Sequence, residues 1–193
     1  VLEDILHQDF PHADYEVIVV DGESTDNTPM IIERYLAIYP HRLTYLKNPK
    51  KTLPAGWNIG IRHARGEYVI RVDGHSKVPR DFLSRTYEVI RREPEAACVG
   101  GVIKTEGKGF WGEVNAYVYS HPFGVGNSKF RTTKKDWEGY VDTVPYGAYK
   151  RSIFQEVGYF DESLKRNEDL EMHARIRRSG GRFFLSTKIH STY

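Results

Sequence analysis

Apolar positions along this chain fall into two alternating rhythms. Residues 15 to 20, "YEVIVV", form a continuous β-branched run, the pattern of a strand covered on both faces, and the run ends in the polar stretch "DGESTDNTP". Thr28 followed by Pro29 supplies an N-cap and a first helical position, after which Ile31, Ile32, Tyr35, Leu36 and Tyr39 recur at helical spacing. The unit then repeats. "LTYLKN" predicts a short strand, "LPAGWNIGIRHARG" a helix closed by Gly66, "GEYVIRVD" a buried strand, and residues 80 to 92 an amphipathic helix on Leu83, Tyr87 and Ile90. Such alternation predicts an α/β fold with a parallel sheet between two helical layers, and in such sheets ligands bind beyond the carboxyl ends of the strands.

After the strand-like "AACVGGVIKTE" the alternation weakens, and residues 107 to 147 carry glycines, aromatics and basic residues without a clear period. Order returns with "GAYKRSIFQEVGYFDESL", a helix opening at Asn167 and ending before Gly180, and the strand "RFFLST". The helix-like opening "VLEDILHQDF", with no methionine before it, predicts a piece of a longer protein.

Composition narrows the field only modestly. A net charge of +2 over 193 residues names no polyanionic partner, so nucleic acid is not expected. The single cysteine, Cys98, can form no internal disulfide and reads as a small buried apolar residue in a reducing, cytoplasmic setting. No apolar run approaches the ~20 residues that a membrane-spanning helix needs.

Two strands end in acidic loops: Asp21 with Glu23 and Asp26, and Asp73 with His75 in "RVDGHSKVP". Carboxylates at the ligand-binding edge suit a divalent cation or the polar groups of a nucleotide, while the plainer reading makes each a cap for the helix that follows. In the second loop Gly74 is expected to give the backbone room to turn. The first loop is not an EF-hand, because Asp26 stands where that loop needs glycine and Ile32 where it needs glutamate. No Gly-x-Gly-x-x-Gly follows a strand and no P-loop lysine occurs, which removes hydride transfer and NTP hydrolysis. In "RNEDLEMHARIRRSGG", Glu168 and Asp169 fall in the first helical turn and Glu171 is spaced to pair with Arg175. His173, four residues after Asp169, either orients that carboxylate or is a surface histidine.

Taken together, "YEVIVVDGESTDNT", "AGWNIGIRHARGEYVIRVDGH" and "GYFDESLKRNEDLEMHARIRRSGGRF" resemble the family 2, GT-A fold glycosyltransferases, and within them the bacterial exopolysaccharide branch similar to succinoglycan glycosyltransferases. The resemblance implies a GT-A three-layer α/β/α fold with a mostly parallel sheet. It implies one domain over 1–193, nucleotide-binding to about residue 105 and acceptor-facing from about 106, with the family's first strand lying before Val1. It implies an inverting transfer from a nucleoside diphosphate sugar, UDP-linked, to an exopolysaccharide or lipid-linked saccharide, at the cytoplasmic face of the inner membrane. Residue by residue, Asp21, Glu23, Asp26, Asn58 and Asp73 would serve the nucleotide sugar, and Asp73 and His75 would hold Mn2+ or Mg2+. Asp169 would be the general base, with Glu168, Trp137, Tyr140 and His173 at the acceptor or in support.

Two residues depart from the family pattern. His75 replaces the last aspartate of the Asp-x-Asp motif, an imidazole that suits manganese better than magnesium. Gly22 stands where many relatives carry a second aspartate. Two other functions stay open at this point: nucleotidyl transfer onto a sugar phosphate, and a non-catalytic glycan-binding relative. The lysines of "KNPKK" and "KFRTTKK" read as solvated loop residues, with phosphate binding as the alternative. The aromatics around 110 to 117 have helical spacing and read as core, with an interfacial membrane helix as the second reading.

Overall fold

A computed structural model describes residues 1–126, 128–133 and 136–192; Lys134 and Lys135 of the basic stretch at 129 to 135 lie outside the described residues. The first elements in chain order are α1 (Leu2–Leu6), β1 (Val17–Asp21), α2 (Thr28–Ile38), β2 (Leu43–Lys47), α3 (Leu53–His63), β3 (Tyr68–Ile70), α4 (Phe82–Arg92) and β4 (Ala96–Lys104). There follow α5 (Gly109–Ser120), α6 (Pro122–Val125), α7 (Lys129–Thr132), β5 (Glu138–Val141), β6 (Ala148–Lys150), α8 (Ile153–Glu156), α9 (Glu168–Arg178) and β7 (Arg182–Thr192). They group into two compact units, one of Val1–Phe10, Ile70–Tyr149 and Gly180–Tyr193, the other of Pro11–Val69 and Lys150–Ser179.

In the second unit β1 and β2 pair in parallel from Val17 opposite Leu43 to Asp21 opposite Lys47, as the strand–helix–strand rhythm requires. Helix α3 lies against β1, where a Cβ at Gly60 would stand in ordinary contact with Val20 Cγ2 at 3.5 Å. The core gathers Val17, Ile32, Leu43, Ala55, Ile61, Phe154, Phe160, Met172 and Ile176, with the Trp57 ring edge-on to Phe160 at 4.9 Å. Glu171 and Arg175 form the expected pair at 2.7 Å. The Arg175 guanidinium also donates to the carbonyls of Val157 and Tyr159, so the helix ties down the loop before it.

In the first unit β4 runs between β6, antiparallel, and β7, parallel, with β5 antiparallel on the far side of β7. Every residue of β4 except Lys104 is buried, matching its unbroken apolar run. Helix α4 buries Phe82, Thr86, Val89 and Ile90, one stripe at helical spacing. Gln8 fastens the chain's start to this helix, donating to the Pro79 carbonyl and accepting from the Leu83 amide.

The α/β class is as expected, but the larger sheet is mixed. Antiparallel strands need no crossover helix, so β5 and β6 left no trace in the alternation that marks parallel units. β3 is only three residues long, and β7 continues to Thr192, well past "RFFLST". Thr28 is the first helical residue of α2 rather than its cap, which is Asn27. Residues 109 to 120 do form a helix, yet its aromatic face is not core: Phe110, Trp111 and Tyr117 are 71%, 74% and 66% exposed.

Candidate active site

In the second unit, the loop after β1 is organised by Asp21. Its carboxylate is buried, and it accepts the Ser24 amide and hydroxyl on one oxygen and the Tyr45 hydroxyl, at 2.9 Å, on the other. Burial opposes its ionisation, but the bonds from Ser24 and Tyr45 outweigh burial and hold the carboxyl below its ordinary value. Asp21 therefore folds the loop that displays its neighbours. Glu23, exposed and in the left-handed backbone region at φ 59, pairs with Lys51 at 3.0 Å, and Lys51 is itself left-handed at φ 57. Asp26, one residue before the cap Asn27, accepts the Thr28 amide at 2.9 Å in an Asx turn that leads the chain into α2.

Asn58, on α3, is almost fully buried and turns to the chain around Phe160. It accepts the Phe160 amide and donates to the Phe160 carbonyl and to Glu162 Oε1, each at 2.9 Å. Glu162 also receives Lys50 Nζ at 2.7 Å, and the bonds from Asn58 and Lys50 lower its pKa. The lysines of "KNPKK" are thus partly absorbed in ion pairs, Lys50 with Glu162 and Lys51 with Glu23.

Helix α9 starts from Asn167, whose left-handed φ of 61 turns the chain sharply into the helix. Glu168 is buried, whereas Asp169 is half-buried and its carboxylate accepts the Leu170 amide at 2.9 Å. The first-turn position places both acids at the positive end of the helix dipole. His173 is buried, so it is not the surface histidine of the plainer reading.

In the first unit, the chain leaves β3 through Arg71, Val72 and Asp73 into an exposed turn at Gly74 and His75. Arg71 donates Nε to Asp73 Oδ1 at 3.1 Å and Nη2 to Oδ2 at 3.3 Å. The turn is pinned behind by the Ser76 amide on the Asp73 carbonyl and by Lys77 and Thr192, which exchange two backbone bonds at 2.9 Å. A Cβ at Gly74 would meet nothing within 4 Å, and its φ is not left-handed, so the turn does not depend on a glycine there. The Tyr146 hydroxyl reaches Asp73 Oδ2 at 3.4 Å and bonds to Ser76 Oγ.

Arg71, Ser76 and Tyr146 were not singled out from sequence. Arg71 had a usable signal, since residues two apart on an extended chain share a side. Tyr146 had none, because seventy-three residues separate it from Asp73. Trp137 and Tyr140 lie on the β5 side of the same unit. The Lys129 ammonium stands 4.7 Å over the Trp137 ring, and Tyr140 is packed edge-on against Phe184, covered by the Arg182 guanidinium and bonded through its hydroxyl to Glu93.

Among the described residues no group of three or more His, Cys, Asp or Glu side chains could hold a metal. A carboxylate and an imidazole on one exposed turn nevertheless suit a divalent ion that takes its other ligands from a diphosphate and water.

A sequence model of the family described as Glycosyl transferase family 2 matches residues 1–158. The chain belongs to that family. Along its whole length this family 2 chain is 30% identical to a Methanococcus voltae dolichyl N-acetyl-alpha-D-glucosaminyl phosphate 3-beta-D-2,3-diacetamido-2,3-dideoxy-beta-D-glucuronosyltransferase, of which it covers 61%. Over 92% of its length it is 29% identical to the succinoglycan biosynthesis protein ExoA of Rhizobium meliloti, covering 53% of that protein. The chain thus spans little more than half of these relatives. Among solved structures, Staphylococcus aureus TarS 1-349 in complex with UDP superimposes over the whole chain with a TM-score of 0.76 at 22% identity, the chain covering 55% of it. The Pyrobaculum calidifontis mannosyltransferase PcManGT, solved with GDP-Man and Mn2+, gives 0.74 at 22% identity, with 51% of it covered. The fold is that of these GT-A glycosyltransferases, as the motifs implied.

Proposed function

We propose that this chain carries the donor-binding and catalytic residues of an inverting glycosyltransferase that moves a sugar from a nucleoside diphosphate sugar, UDP-linked, to an exopolysaccharide or lipid-linked saccharide acceptor. The observation that carries the reading is Asp169, a half-buried carboxylate at the start of α9 that accepts the next backbone amide on one oxygen. Its remaining oxygen is chemically suited to take the acceptor hydroxyl's proton. That hydroxyl oxygen attacks the anomeric carbon while the bond to the diphosphate oxygen breaks, and a single displacement inverts the centre. Asp73 and His75 would hold a divalent ion, which neutralises charge on the departing diphosphate. Asp21 shapes the loop that presents Glu23 and Asp26 to the nucleotide, and Asn58 holds the Glu162 segment in support.

Relatives give this reading its support: TarS structures hold UDP and UDP-GlcNAc, the mannosyltransferase holds GDP-Man with Mn2+, and ExoA is a succinoglycan biosynthesis protein. Family membership weighs against nucleotidyl transfer, and an intact acid set at 73 and 169 weighs against a non-catalytic relative. Peripheral membrane attachment fits α5, whose Phe110, Trp111 and Tyr117 face outward; among the described residues no helix is long and apolar enough to cross a membrane.

The test replaces Asp169 with Asn. Transfer should fall by roughly 100-fold or more, while UDP-sugar binding, followed by calorimetry, stays within about twofold. Wild-type turnover in Asp169→Asn would remove the base assignment.

A further inference from the structure

Tyr146 adopts a backbone conformation that bulky side chains avoid, with φ at 43, in a position where the residue is only 7% exposed. The surrounding packing leaves it no alternative. A Cβ at Gly147 would stand 2.3 Å from Cys98 Sγ, and one at Gly100 would stand 2.6 Å from Val144 Cβ and 3.0 Å from the Pro145 carbonyl, so the chain around Tyr146 lies directly on β4. Ala148 then enters the ladder opposite Val99. Strain that is over-determined in this way marks a side chain whose placement matters.

What the placement achieves is a line of polar contacts: Ser76 Oγ to the Tyr146 hydroxyl, that hydroxyl to Asp73 Oδ2 at 3.4 Å, and Asp73 to Arg71 through both oxygens. A buried tyrosine needs one partner for its hydroxyl, and Ser76 already provides it. The approach to Asp73 is additional. Arg71 engages both oxygens from its own strand end, and the Tyr146 hydroxyl approaches Oδ2 from a distant part of the chain, so two independent segments meet on the carboxylate.

We infer that Tyr146 is a positioning residue, its Ser76-anchored hydroxyl fixing the Asp73 carboxylate in the orientation that receives a divalent cation. The inference rests on the proposed role of Asp73 and adds a residue from a distant part of the chain to it. Outer partners of ligating carboxylates typically contribute about 10- to 100-fold to metal affinity.

The experiment measures Mn2+ binding in the presence of UDP by the electron paramagnetic resonance signal of the free ion, with thermal melts of every protein. Tyr146→Phe, which keeps the ring, should bind Mn2+ roughly tenfold more weakly, and Ser76→Ala, which removes the anchor but keeps the phenol, should shift the same way by less. Both should be folded at the assay temperature. Wild-type Mn2+ affinity in Tyr146→Phe, with only its melting temperature lowered, would show a hydroxyl that serves packing alone and overturn the inference. Should Tyr146→Phe not fold, unchanged affinity in Ser76→Ala overturns it equally. Asp73→Asn separates the two levels: if it binds Mn2+ as the wild type does, or the wild type binds none, the reading of Asp73 fails and Tyr146 falls with it. If Asp73→Asn loses binding and Tyr146→Phe does not, only the Tyr146 role is lost.

Discussion

The Asn58 side chain both accepts from and donates to the backbone of Phe160, at 2.9 Å each way, closing a two-way clasp between residues 102 positions apart. A third bond, to Glu162, extends the clasp into an ion pair with Lys50. Asn58→Ala would leave a buried amide and a buried carbonyl of Phe160 without partners. At about 1–3 kcal/mol for each stranded group, a loss of roughly 3 kcal/mol is expected, read as a lower urea midpoint with an unchanged slope. Asn58→Asp keeps an acceptor for the Phe160 amide but faces the carbonyl and Glu162 with a second carboxylate, and should be no more stable.

Two glycines on the same chain should behave oppositely. A Cβ at Gly101, at the irregularity where β4 changes register with β7, would lie 2.0 Å from the Ile189 carbonyl oxygen. Gly101→Ala must displace a central strand and should cost about 3 kcal/mol or more. Gly74→Ala meets nothing, so its melting temperature should match the wild type within error, and a large drop would show that the turn carrying Asp73 is tighter than its geometry indicates.

Asp21 predicts a pH signature. Because its folded pKa lies below the ordinary carboxylate value, it contributes stability that is fully present above that value, near 4, and lost as pH falls through the lowered one. Melts from pH 7 down to pH 3 should therefore drop less steeply for Asp21→Asn than for wild type, from a lower starting point at neutral pH. Parallel curves for the two proteins would mean that Ser24 and Tyr45 do not favour the charged form.

Tyr140, expected from the resemblance to lie at the acceptor or in support, can be tested for stacking on an acceptor sugar. Its ring is already occupied by Arg182 and Phe184 and its hydroxyl by Glu93. Tyr140→Ala should lower the melting temperature while the KM for the saccharide acceptor stays within about twofold. An acceptor KM raised tenfold or more at normal stability would restore a stacking role.

Parallel units were legible because each sets an apolar strand run beside a helix with one apolar stripe, and the chain writes those two periods in plain order from Val17 to Lys104, although only β4 is buried almost throughout while β1 and β3 are largely half-buried. Even there the sequence overstated β3, since an apolar run shows burial and not hydrogen bonding. From residue 105 onward the signals conflict. β5 and β6 are short and antiparallel, and α5 carries an aromatic stripe that in most helices would be buried but here faces outward. Among candidate site residues, sequence located the acidic turns and the α9 start but not what each side chain touches. Asn58 reads like any helical asparagine until Phe160 is folded onto it. Tyr146 is invisible for a stronger reason: a left-handed tyrosine next to glycine is held by contacts from β4, and no local pattern encodes those.

Cys98 lies beneath Gly147, almost wholly enclosed, and burial pushes its thiol well above the usual range. As the single cysteine of these 193 residues, it should not react with alkylating reagents while the fold persists. A second cysteine placed on the turn at His75 or on the exposed face of α5 would take up a spin label or fluorophore alone, with no background to remove. The same buried thiol, unmasked by denaturant, would count unfolded molecules one by one.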